Sequence, residues 1–144
     1  MDAKNDNDII YHYTCKLLLP EIVRKGYLTL TVSNFNIEKP NMYSVVWLTT
    51  AATPENMGLL FDNNIPDDFN KMHIRITIRK KPYMRQWDEW SEEKGMDKHL
   101  KQAMIESASA KDTYKTWYVT EKEISLSDVL LIENIKTKEV YYKK

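Results

Sequence analysis

Residues 72–79, Met-His-Ile-Arg-Ile-Thr-Ile-Arg, alternate between apolar and polar without a break. Successive side chains of an extended chain point to opposite faces, so Met72, Ile74, Ile76 and Ile78 share one side and His73, Arg75, Thr77 and Arg79 the other. The period predicts a half-buried strand with a basic outer face, the signature of antiparallel sheets.

Other segments build on that strand. Residues 9–14 read as a strand with Ile10, His12 and Thr14 on one face and Ile9, Tyr11 and Tyr13 on the other. Residues 17–25 have the spacing of an amphipathic helix that buries Leu18, Leu19 and Ile22, with Pro20 in the first turn and Gly26 as its left-handed stop. A short strand at 27–30, a long loop at 31–44, a β-branched and aromatic strand at 45–50 and an irregular stretch at 51–68 follow. Two polar helices at 85–93 and 97–107 are split at Gly95, with Trp87 and Trp90 on one helical face. Strands at 116–120, 129–135 and 139–142 complete the chain, the last two as a hairpin through Lys136-Thr137-Lys138. The order lacks the regular strand–helix alternation of a doubly wound sheet, so the expected class is α+β with largely antiparallel pairing. Residues 1–8 read as a flexible tail and 9–144 as a single domain, large enough to bury roughly two-thirds of its surface.

Composition removes several function classes. Twenty-one basic and twenty-one acidic side chains cancel, which leaves no global field for nucleic acid or a membrane surface. Three scattered glycines cannot build a phosphate cradle. The single cysteine, Cys15, forms no internal disulfide. His12, His73 and His99 lack ligand spacing, so no metal is expected, and Cys15 and His12 would point to opposite sides of a strand end. With no apolar run of membrane length and a polar first segment, the expectation is a soluble cytoplasmic protein without membrane contact. Two clusters remain. Lys71, Arg75, Arg79, Lys80 and Lys81 are either a solvated face or an anion contact. The stretch Trp117-Tyr118-Val119-Thr120-Glu121-Lys122-Glu123 brings two carboxylates to a strand end.

Tyr11-His12-Tyr13-Thr14, a helix ending near Gly26-Tyr27-Leu28, and Val46-Trp47-Leu48-Thr49 resemble the first half of ADP-ribosyltransferase-fold proteins and of the related RNA 2′-phosphotransferases. The chain is also similar to small, poorly characterised bacterial and phage proteins with H-Y-T-C, V-W-L-T and late W-x-V-x-E elements. These elements together touch about half the chain. The resemblance implies an ADP-ribosyltransferase-like fold, two small mostly antiparallel sheets forming a cleft with peripheral helices. It also implies that NAD is the substrate, for ADP-ribosyl transfer or NAD cleavage. His12 and Thr14 would anchor ribose or amide, Tyr27, Tyr43 or Trp47 would stack on nicotinamide, Thr49 would line the site, and Arg75 would meet the pyrophosphate. Glu121, or else Glu123, would be the carboxylate that stabilises an oxocarbenium-like transition state, so Glu121→Gln would abolish transfer. Two departures stand out: Glu121-Lys122-Glu123 is not a faithful copy of the Q/E-x-E loop of arginine-modifying enzymes, and only Lys4 precedes the first strand as a basic residue. The alternative is a non-catalytic nucleotide- or protein-binding module on the same fold, acting in phage–host conflict, because fold and function separate readily. The acceptor, protein or nucleic acid, is not specified.

Overall fold

The computed structural model describes residues 9–29, 45–52, 73–107 and 112–144. Among the described residues, nine strands and three α-helices follow in order: β1 (Ile9–Thr14), α1 (Leu19–Lys25), β2 (Tyr27–Leu28), β3 (Val46–Thr49), β4 (Ile74–Arg79), β5 (Arg85–Gln86), α2 (Trp87–Glu93), α3 (Lys98–Ser107), β6 (Trp117–Thr120), β7 (Ile124–Ser125), β8 (Val129–Asn134) and β9 (Val140–Lys143). Every strand pair among the described residues is antiparallel. The class is therefore α+β, but the two sheets are unequal: one has seven strands in the order β5-β6-β3-β1-β4-β8-β9, and β2 and β7 form the other.

The alternating strand sits near the middle of the large sheet. Ile74, Ile76 and Ile78 of β4 are fully buried while the residues between them are half-buried. In register with them, Thr14 stands opposite Ile74, His12 opposite Ile76 and Ile10 opposite Ile78. Directly opposed residues share a face, so His12 and Thr14 belong to the isoleucine side. That side carries the larger core, where Leu19 and Ile22 of α1, Leu28 of β2 and Ile124 of β7 close over Ile10, Val46, Leu48 and Ile132. The opposite side, around β3 and β6, is covered by α2 and α3. There Val45, Trp117 and Val119 meet Trp87, Trp90, Met96 and Met104. The seven-stranded sheet is thus the middle of three layers.

Two expectations change. Residues 16–18 form a 3-10 turn before α1 instead of its first helical turn, which shifts the helical phase and leaves Leu18 47% exposed while Leu19 and Ile22 stay buried. Pro20 does fall in the first turn, and Gly26 ends the helix at φ +82°. The second change is at residue 85, where Arg85 and Gln86 pair with Val119 and Tyr118 as an edge strand, so α2 starts at Trp87. The β8–β9 hairpin through residues 135–139 forms as the pattern predicts.

Candidate functional site

β1 brings an imidazole and a hydroxyl to the same face, and α1 and β2 supply the opposite wall. His12, Thr14, Leu18, Glu21, Lys25 and Tyr27 border the resulting groove. Its volume is about 90 Å³, well below the ~300 Å³ at the lower end for sites that engulf a drug-sized ligand. The described residues therefore offer room for one sugar or one ring. Thr14 is almost fully buried and Tyr27 half-buried.

The imidazole is fixed from the neighbouring strand. His12 Nδ1 lies 2.7 Å from the backbone carbonyl of Trp47, and because a carbonyl only accepts, Nδ1 carries the proton. In the neutral ring Nε2 is then an acceptor. Across the groove, Glu21 is ion-paired with Arg24 and stands 3.8 Å from Lys25 Nζ. The hydrogen bond from Arg24 holds its carboxyl below the usual carboxylate range. Glu21 and Lys25 were not expected here; their signal is a stripe at i, i+3 and i+7 from Leu18, which places all three along one side of the helical segment.

The other expected site residues lie elsewhere. Trp47 follows the parity of β3 to the opposite side, where its ring centroid is 6.4 Å from that of Trp87 and 6.3 Å from that of Trp117. Its half-buried ring packs among the tryptophans of that side, and its carbonyl is the atom that reaches His12. Thr49 is fully buried; its hydroxyl donates to Thr116 at 3.1 Å and accepts from the Ala51 amide at 3.0 Å, a local tie and not a ligand contact. Arg75 is committed as well. It donates to Glu133 at 3.0 Å and to the Ala52 carbonyl at 2.5 Å, and its guanidinium carbon stands 5.2 Å from the Tyr11 ring centroid. Burial opposes its charge, but the hydrogen bond and charge of Glu133 outweigh burial and the net shift is upward. Tyr43 lies outside the described residues.

Glu121 sits just past β6, two residues after Val119 and hence on the tryptophan side. Its carboxylate is 2.9 Å from Lys94 Nζ at the end of α2. The Lys94 hydrogen bond depresses its pKa, partial burial raises it, and the Trp90 indole and the charges of Lys94 and Arg85 add to the downward shift. Glu123 is exposed ahead of β7. The structure thus brings together His12, Thr14 and Tyr27, and separates them by the thickness of the sheet from the Trp47 ring and Glu121.

Among the described residues no three His, Cys, Asp or Glu side chains gather closely enough to hold a metal ion. No helix among them is long and apolar enough to cross a membrane. Comparison of the chain with protein-family models, with curated proteins and with solved structures finds no match.

Proposed function

We propose that the chain is an ADP-ribosyltransferase-like domain that binds the ribose of a nucleotide such as NAD in the His12 groove, as a binding module and not as a transferase. The observation that carries this reading is the pairing on one strand face of Thr14 with an imidazole whose Nδ1 proton is already taken by the Trp47 carbonyl. With Nδ1 turned to the Trp47 carbonyl, the neutral form of the ring has Nε2 as its accepting atom, the kind of atom to which a ribose hydroxyl donates. Transfer would need a fixed carboxylate beside the developing ribosyl cation, and Glu121 is engaged by Lys94 on the tryptophan side.

A groove that holds one moiety supports weak binding, with Kd in the high-micromolar to millimolar range, about −4 to −6 kcal/mol. Calorimetric titration of NAD and ADP-ribose tests this. Saturable binding, weakened about tenfold by His12→Ala through loss of one hydrogen bond, is the expected result. Binding that His12→Ala leaves untouched would remove the site. Turnover is the second reading, favoured by one observation: Glu21 lines the same groove as His12. Nicotinamide release from NAD that disappears in Glu21→Gln would establish it; absence of release supports the module.

A further inference from the structure

The turn at residues 80–84 carries the chain from β4 into β5 and borders a second, open groove of about 490 Å³. That volume falls within the ~300–1,000 Å³ common for ligand sites. Lys80, Lys81 and Arg85 supply cationic heads, Gln86 an amide and Tyr118 a phenol, and Glu89 is the one carboxylate of its lining among the described residues. Lys80 Nζ lies 4.5 Å from the Tyr118 ring centroid and 3.4 Å from its hydroxyl; among the described residues it forms no ion pair. Lys81 pairs with Asp128 at 3.3 Å, and Arg85 with Glu93. The Arg85 and Glu93 side chains are 42% and 59% exposed, so water screens their attraction and an entering oxyanion can replace the carboxylate at small cost. Arginine then offers a planar fork to phosphate oxygens. In the same turn, Tyr83 carries Lys122 at 5.0 Å from its ring centroid, a second lysine stacked on a tyrosine.

A groove lined with cations beside aromatic rings suits a flexible, negatively charged backbone. A duplex asks for an extended positive field, and this chain has balanced charge. We propose that the groove between the 80–84 turn and β6 binds the phosphodiester backbone of a single-stranded nucleic acid, separately from the His12 groove.

Anisotropy of dye-labelled oligouridylate and oligothymidylate, titrated with the whole chain over a salt series, is the test. Binding should weaken as salt rises, with a log–log slope of about −0.7 per phosphate contacted. Lys80→Gln and Arg85→Gln should each raise Kd and flatten the slope by about 0.7. Glu89→Gln should tighten binding, a gain that misfolding cannot produce, and saturating NAD should not displace the oligomer. The proposal is overturned by any of four results: no binding at low salt, a slope that the Lys80 and Arg85 variants leave unchanged, equal competition by inorganic phosphate or uridine monophosphate, or a duplex of the same length binding as tightly.

Discussion

Arg75 illustrates how a residue that reads as a ligand group becomes a structural one. Its place on the polar face of β4 was legible in the alternation, but its partner was not. Glu133 comes into register with it only when β8 pairs with β4, and a single strand carries no record of what lies opposite. Both side chains are largely shielded, at 23% and 17% exposed. Removing the cation would leave a carboxylate short of its partner, and Arg75→Ala is expected to destabilise the fold by about 1–3 kcal/mol without altering the proposed nucleotide binding. Urea unfolding beside a titration checks both halves; weaker nucleotide binding in a variant of normal stability would return Arg75 to the site. Trp87 gives the converse case. Its indole nitrogen is buried without a hydrogen-bond partner among the described residues, so Trp87→Phe loses packing and no hydrogen bond. The expected cost, read from thermal unfolding, is below the ~3–5 kcal/mol of truncating such a side chain to alanine.

Between elements, two junctions tie successive pieces of the fold together. Gly26 ends α1 at φ +82° with open space around the missing Cβ, so Gly26→Ala meets no clash but places an alanine in the left-handed region. A loss of about 1 kcal/mol is expected, with less for Gly26→Asn. Because the Gly26 carbonyl accepts from the Leu126 amide at 3.0 Å, the same change should loosen β2 against β7 and weaken ligand binding at Tyr27; equal stability of the alanine and asparagine variants would contradict the strain. The other junction is Glu121 with Lys94, which ties the end of β6 to the end of α2. The folded carboxyl titrates below its unfolded value, so its contribution is present above the unfolded pKa and disappears as pH falls through the folded one. With Glu121 half exposed, that contribution is under about 1 kcal/mol. Glu121→Gln should therefore lower stability slightly near neutral pH and match the native chain in acid, as followed by denaturation at several pH values.

For the molecule as a whole, the long periodic strands were legible and the layers only partly so. β1, β3, β4 and β8 announce themselves by alternation or by β-branched runs, and the parity of Trp117, Val119 and Glu121 already says that these three share a side. What no single stretch says is that His12 belongs to the other side. That follows from the pairing of β1 with β4 and from which face α1 covers, both non-local. Of the small β2–β7 sheet, β2 was legible in the strand expected at 27–30, but β7 and its pairing were not: the strands are two residues long and join Tyr27 to Ser125, β7 being too short for a period and too distant from β2 for a turn signal. The loop expected at 31–44, which includes Tyr43, and the part of the irregular stretch at 53–68 lie outside the described residues. Hydrogen exchange should find amides of β1 and β4, at the sheet centre, slowest, and those of the edge strands β5 and β9 fastest; comparable rates across the sheet would contradict the strand order.

Residue 47 bridges the two sides of that sheet. Its carbonyl orients the imidazole on one side while its ring stands among Trp87 and Trp117 on the other, and the chain's four tryptophans all gather there. The protein therefore contains its own optical probe, behind the wall against which a guest would lean. A sugar that tugs on His12 pulls on the peptide group holding the nearest indole, so occupancy of one groove should register as altered emission from fluorophores that never touch the guest.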